Sequence, residues 1–136
     1  MSSKSGKVEA FKLFGVKLKN IRWSSSGRAK DGTVVLSLWT DYLKSGPTPT
    51  HYDLFGDPRL PKWQNKIGVR ERTENLKWAR QHNDGIFRVV LATPADLKSE
   101  PRRTTNVLPS ELAMRLIDLN EQTGEFSAQI VEGTGA

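Results

Sequence analysis

The stretch TVVLSLW at residues 33–39 decides the fold, because β-branched and large apolar residues dominate it and nothing in it breaks a strand. Residues 24–32 come directly before it, and their Ser, Gly and Asp content is typical of a turn. Residues 16–23 precede that turn, and their apolar side chains share one face if a bulge lies near residue 20. We therefore predict a hairpin in which residues 16–23 pair antiparallel with residues 33–39.

Residues 69–83 carry the clearest helical pattern. Val69, Leu76 and Ala79 recur at helical spacing, and Gly85 is suited to the left-handed conformation that ends a helix. Residues 86–92 follow, and they are apolar on both faces except at Arg88, which predicts a central strand.

The last quarter of the chain fits two patterns. Leu112, Leu116 and Leu119 fit a helix, whereas Leu112, Met114 and Leu116 also alternate as in a strand. Turn-forming residues at 120–124 and the alternation over 125–131 favour the strand. We predict a terminal hairpin.

The other segments carry weaker patterns. Residues 1–7 are small, polar and basic, which predicts a flexible tail, and residues 8–14 alternate loosely as in a short strand. Residues 40–68 contain four prolines and three glycines, which predicts a long irregular loop. Its aromatic residues Tyr52, Phe55 and Trp63 predict that this loop packs down. Residues 94–109 are predicted to be mostly loop.

Together these elements predict one α+β domain over residues 8–136, a largely antiparallel curved sheet or small barrel with one or two helices. The length of 136 residues fits a single domain. The chain has no cysteine, which excludes disulfides, thiolate metal sites and a cysteine nucleophile. No secretory signal or run of about 20 apolar residues is present, so we expect a cytoplasmic protein without a membrane partner.

Metal and catalytic motifs are weak in this sequence. The two histidines, His51 and His82, lie far apart in the sequence. Acidic residues near His51 are the only candidates to complete a metal site with it in the 40–68 loop. Glu71 and Glu74 share one side of the predicted helix among basic residues, a pattern typical of ion pairing on a helix surface. We expect no metal and no cofactor. The sequence favours a protein that is not an enzyme, and a small enzyme stays open as an alternative.

Basic residues are the main functional signal. The net charge is +6, and the positive excess lies in residues 1–109, while residues 110–136 are net negative. Arginine and lysine side chains near the tip of the first hairpin and along the helix have the chemistry that phosphate oxygens require. The candidate nucleic-acid-binding residues are Arg28, Lys30, Lys66, Arg72, Lys77 and Arg80.

Two stretches resemble known sequences. Residues 63–90, with Leu76-Lys77-Trp78-Ala79 and the run DGIFRVV at 84–90, look like bacterial hypothetical proteins of unassigned function, as do residues 116–126. This resemblance implies no particular activity. At the level of fold alone, a small barrel of this order resembles the domains that read modified bases in nucleic acid.

Three functions remain open at this point. The first is a non-catalytic module that binds DNA or RNA through the basic hairpin tip and helix face. The second is a protein-interaction or adaptor domain that uses the acidic C-terminal region or the aromatic loop. The third is a small enzyme with a site in the 40–68 loop.

Overall fold

The computed structural model of the protein describes residues 7–19, 24–44, 50–55, 67–94 and 104–131. Within these ranges the chain forms two α-helices, one turn of 3-10 helix and seven strands. In chain order they are α1 (Lys7–Lys12), β1 (Ser26–Arg28), β2 (Val34–Trp39), the 3-10 helix (Thr40–Tyr42), β3 (Leu43–Lys44), β4 (His51–Asp53), α2 (Ile67–His82), β5 (Ile86–Pro94), β6 (Thr104–Leu119) and β7 (Phe126–Ile130).

All seven described strands belong to one sheet, in the order β1-β2-β5-β6-β7-β4-β3. Only β2 and β5 pair in parallel, and the other neighbours are antiparallel. A parallel pair needs a crossover, and here the chain between β2 and β5 passes through β3, β4 and α2. One mostly antiparallel sheet together with the two helices confirms the predicted α+β class with a largely antiparallel sheet. The sheet of described strands is open, with β1 and β3 at its edges.

The core lies on both faces of the sheet. Alternate residues of β2 divide between the two faces, so that Val34, Leu36 and Leu38 pack with α2 while Val35 packs with α1. In β5, Phe87 and Val89 lie on the α2 side. Burial on both faces explains why β2 and β5 read as continuous apolar runs, and it confirms β5 as a central strand.

The predicted first hairpin is right in its second strand and wrong in its first. The partner of β2 is β1, which lies inside the predicted turn, and Ser26, Gly27 and Arg28 pair with Leu36, Val35 and Val34. Residues 16–19 are not a strand, although Val16 and Leu18 are buried. A three-residue strand with Ser and Gly carries no local β signal, so tertiary contacts decide its structure. Residues 20–23 lie outside the described residues.

Residues 8–14 form no strand either, because α1 occupies Lys7–Lys12. Ala10 and Phe11 are buried side by side against the sheet, and Phe14 follows at helical spacing. A segment this short fits both the helical and the strand period of apolar residues, so its sequence could not decide between them. Lys7 is already the first residue of α1, and residues 1–6 lie outside the described residues.

Helix α2 confirms the predicted helix, beginning two residues earlier and ending one residue earlier than expected. Gly85 caps it as predicted. Its φ is +76°, and its N–H donates to the carbonyl of Ala79 at 2.9 Å.

The C-terminal hairpin is also confirmed, since β6 pairs antiparallel with β7 around a turn at residues 120–125. The predicted loop over 94–109 is wrong for residues 104–109, which belong to β6. Pro109 is accommodated where the β5–β6 register shifts, because a bulge relaxes the need for a backbone donor. Residues 95–103 lie outside the described residues.

The predicted irregular loop over 40–68 is more ordered than expected where it is described, since it contains the 3-10 helix, β3 and β4. Tyr52 anchors it as predicted, with 2% of its surface exposed, and its ring stacks on Phe126 at 5.5 Å. Phe55 is 39% exposed and does not anchor the loop. Residues 45–49 and 56–66, including Trp63, lie outside the described residues.

Candidate functional site

Helix α2 has two flanks that contact different parts of the sheet. Asn75 and Trp78 lie on the flank that contacts β1 and the turn after it. Lys77 and Arg80 lie on the other flank, where they reach Glu121 in the turn between β6 and β7. Helical geometry separates the two sets, because residues 77 and 78 point about 100° apart.

The first hairpin joins the β1 flank of α2. The guanidinium of Arg28 lies over the ring of Trp78 at 4.9 Å from its centroid, and the amide of Asn83 donates to the carbonyl of Gly32 at 2.9 Å. Gly32 has a φ of +92° and sits so close to Trp78 that a Cβ would lie 2.9 Å from the ring. Lys30, in the same turn, is exposed. The structure thus brings Arg28 and Lys30 beside the helix.

Lys77 and Arg80 are brought together on the opposite flank, where carboxylates neutralise them. Arg80 Nη2 lies 2.6 Å from Glu121 Oε2, and Lys77 Nζ lies 3.5 Å from both Glu121 Oε1 and Glu74 Oε2. The hydrogen bond from Arg80, helped by the charge of Lys77, lowers the pKa of Glu121.

Arg72 lies inside the fold, away from both groups. Its guanidinium stacks over Phe126 at 5.0 Å and donates to the carbonyl of Gly124 at 3.1 Å. Burial lowers the pKa of Arg72, and its Nε has no hydrogen-bond partner. Its contacts are those of a residue that ties α2 to the β6–β7 turn. Lys66, the remaining candidate, lies outside the described residues.

A cleft of about 280 Å³ opens at the β1 flank, and we call it the β1 cleft. It is lined by Lys17, Lys19, Ser26, Gly27, Arg28, Glu71 and Asn75. The two lysines enter from the α1 side of the sheet, and the helix residues enter from the α2 side. Because β1 is an edge strand, the cleft wraps around the open edge of the sheet.

Apolar residues and lysines alternate over residues 16–19, and this alternation places both lysines at the cleft. Val16 and Leu18 are buried against the sheet, so Lys17 and Lys19 face outward. Gly27 makes the close packing of this segment possible, because a Cβ there would lie 2.4 Å from Cγ1 of Val16. The position of the lysines relative to Arg28 therefore depends on Gly27.

The floor of the cleft is polar and buried. Asn75 Nδ2 donates to Ser26 Oγ at 2.8 Å, and both residues are buried. Glu71 Oε1 is buried without a hydrogen-bond partner. Burial lowers the pKa of nearby Lys7, and the negative charge of Glu71 partly offsets that shift.

The edge of β1 adds backbone groups to the cleft. Ser37 N–H donates to Ser25 O, and Ala29 N–H donates to Thr33 O, both at 2.8 Å. Antiparallel strands alternate bonded and non-bonded pairs, so the N–H and C=O groups of Ser26 and Arg28 point away from β2. The cleft therefore offers cationic side chains, backbone donors and acceptors, and one carboxylate.

No group of three or more His, Asp or Glu residues that could hold a metal ion occurs in the part of the chain that the structure describes. Among the same residues, no helix is long and apolar enough to cross a membrane.

A scan against protein-family models, a search of curated proteins and a search of solved structures each found no match to this chain.

Sequence reasoning missed most of the β1 cleft. The alternation of Lys17 and Lys19 with Val16 and Leu18 was the signal available in the sequence, and it predicts a basic surface on this segment. Glu71 and Glu74 were expected to act alike as surface ion pairs. Glu74 does pair with Lys77, whereas Glu71 turns to the other flank and lines the cleft.

Proposed function

We propose that this protein binds nucleic acid non-catalytically through the β1 cleft and the adjoining hairpin tip. The phosphate-binding residues of this proposal are Lys17, Lys19, Arg28 and Lys30. The observation that carries it is the contrast between the two flanks of α2. None of these four cations forms a salt bridge with a described residue, whereas Lys77 and Arg80 both pair with Glu121.

Accessible cations have the larger electrostatic effect on a phosphate, because a carboxylate neighbour competes with the ligand. Phosphate contacts supply most of the affinity of non-specific nucleic-acid binding. The proposal therefore gives Arg28 and Lys30 the main role among the residues chosen from sequence and adds Lys17 and Lys19 to them.

Trp78 supports the proposal by holding Arg28. Its ring contacts the guanidinium of Arg28 and the imidazole of His82, with a centroid separation of 4.4 Å to the latter. A stacked guanidinium is pre-organised, so it loses less conformational entropy when it binds a phosphate. The sequence pI of about 9.8 adds long-range attraction for a polyanion.

The test compares two variants that each lose one lysine and one arginine. Lys17→Ala/Arg28→Ala removes cations of the β1 cleft, and Lys77→Ala/Arg80→Ala removes the paired cations of the opposite flank. Fluorescence anisotropy with labelled single-stranded and duplex oligonucleotides measures the affinity of each at low salt. Two exposed contacts of roughly 0.7 kcal/mol each predict that the first variant binds about tenfold more weakly. The second variant is expected to bind as the wild type does.

The result also separates the alternative functions. If the wild-type protein binds no oligonucleotide, the proposal fails. An acidic extended peptide, which would add a strand to the open edge of β1, then becomes the partner to test. Equal losses in the two variants would mean that charge alone, without the β1 cleft, drives the binding.

A further inference from the structure

Glu71 is the unexpected residue of the β1 cleft. A surface that contacts only phosphates has no use for a carboxylate, because its charge opposes the ligand. Yet Glu71 Oε1 is buried at the cleft without a hydrogen-bond partner. A buried acceptor that stays unpaired costs free energy, and a donor that enters the cleft, from water or from a ligand, satisfies it.

The dimensions of the cleft limit what can enter it. Its volume of about 280 Å³ is just below the range of small-molecule sites, roughly 300–1,000 Å³. Asn75 and Ser26 at its floor are 7% and 0% exposed. A base inside a duplex cannot reach such a floor, whereas an unpaired nucleotide can turn into the cleft.

The ligand must therefore combine two kinds of group. It carries an anion that Lys17, Lys19 and Arg28 attract at the rim. It also carries a hydrogen-bond donor for the carboxylate. A nucleotide has both, because its phosphate is the anion and its sugar hydroxyl or base N–H is the donor.

We propose, resting on the nucleic-acid binding proposed above, that the β1 cleft receives one nucleotide of a single strand and that Glu71 accepts a hydrogen bond from it. The lysines and Arg28 hold the phosphate, with the outward N–H groups of Ser26 and Arg28 as further donors. Asn75, held by Ser26, fixes the floor beside Glu71.

The test uses the sign of an affinity change. Glu71→Ala and Glu74→Ala each remove one negative charge from α2, and Glu74 lies on the outer surface with 72% of its side chain exposed. If charge alone matters, both variants bind a single-stranded oligonucleotide more tightly than the wild type does. The proposal predicts opposite signs. Glu71→Ala binds roughly tenfold more weakly, the loss expected for one hydrogen bond to a charged group, while Glu74→Ala binds slightly more tightly.

RNA and DNA of the same single-stranded sequence identify the donor. A preference for RNA that disappears in Glu71→Ala assigns the donor to the 2′-hydroxyl, and equal weakening with both assigns it to the base. If Glu71→Ala binds as tightly as Glu74→Ala or more tightly, this inference is wrong while the proposed function stands. If the wild type binds a duplex but no single strand, this inference alone is wrong, and if it binds neither, both are wrong.

A measurement on the wild type covers the case in which Glu71→Ala unfolds. Adenosine monophosphate and inorganic phosphate are titrated separately into isotope-labelled protein, and the amide resonances are followed. Both ligands should shift the amides of Gly27 and Arg28, and only the nucleotide should shift those of Glu71 and Asn75. Absence of any nucleotide-specific shift at Glu71 and Asn75 would overturn the inference.

Discussion

Gly27→Ala is expected to weaken both the fold and the ligand site, because Gly27 supports the segment that carries Lys17 and Lys19. A Cβ at residue 27 would lie 2.4 Å from Cγ1 of Val16 and 3.8 Å from its Cβ. Ordinary contacts between carbon atoms are about 3.5–4.0 Å, so the added methyl must displace Val16 by about 1 Å. Val16 is 3% exposed, and overpacking of this kind costs roughly 1–3 kcal/mol.

A double-mutant cycle isolates that contact. Val16→Ala alone removes two methyl groups and should cost roughly 2 kcal/mol. It also removes the colliding atom, so in Gly27→Ala/Val16→Ala the nearest atom of residue 16 is the Cβ at 3.8 Å. The double variant should therefore be more stable than the sum of the single changes predicts, by about 1–3 kcal/mol.

Urea unfolding gives the free energies, and oligonucleotide anisotropy gives the effect on binding. Gly27→Ala should lower the affinity, since it displaces Lys17 and Lys19 from Arg28, and the double variant should recover part of it. Additive free energies would refute the packing that we describe between residues 16 and 27. A Gly27→Ala protein that loses stability but binds normally would refute the link between that packing and the site.

Three other variants test separate parts of the structure. Gly124→Ala should lower the free energy of unfolding by roughly 2–4 kcal/mol, measured by thermal or urea unfolding, because φ is +85° and a Cβ would lie 2.5 Å from Val69 Cγ1. The control is Gly15→Ala, which has a similar φ but its nearest atom at 3.6 Å, and it should cost only about 1 kcal/mol. Equal losses in the two variants would contradict the contact between residues 124 and 69. Arg80→Ala should raise the pKa of Glu121 towards its ordinary value in an NMR titration of the carboxyl carbon, because Arg80 lowers that pKa most. Any stability from the pair of Arg80 and Glu121 is present at neutral pH and is lost as the pH falls through the folded-state pKa of Glu121. An unchanged pKa of Glu121 in Arg80→Ala would disprove the pairing. Arg72→Met should leave oligonucleotide affinity unchanged, since the guanidinium is bound to Gly124 and Phe126; a loss as large as that of Arg28→Ala would show that Arg72 reaches the ligand.

The elements that could be predicted from sequence are those whose pattern spans many residues. The apolar stripe of α2, formed by Val69, Leu76 and Ala79, recurs over about three turns. Strands β2 and β5 are short runs of apolar and β-branched residues, a pattern typical of buried strands. The terminal hairpin needed a choice between two periods, and the turn at residues 120–124 decided it correctly. In each of these cases local preference and tertiary burial agree.

The missed elements are short, and tertiary contacts form them. Strand β1 has three residues without strand propensity, and its pairing with β2 and the bond from Asn75 to Ser26 hold it in place. Arg72 and Arg80 both flank the apolar stripe of α2, so sequence alone could not tell which one is buried. The β1 cleft was missed for the same reason, since its two walls come from segments about 50 residues apart.

The salt dependence of single-strand binding tests the central claim most directly. For single strands, the slope of log affinity against log salt concentration changes by about 0.7 for each phosphate contact. Lys17→Ala/Arg28→Ala should therefore flatten the slope by up to about 1.4 relative to the wild type, while Lys77→Ala/Arg80→Ala should leave it unchanged. A slope that is the same in the wild type and in Lys17→Ala/Arg28→Ala, or that flattens only in Lys77→Ala/Arg80→Ala, would contradict the assignment of phosphate binding to the β1 cleft.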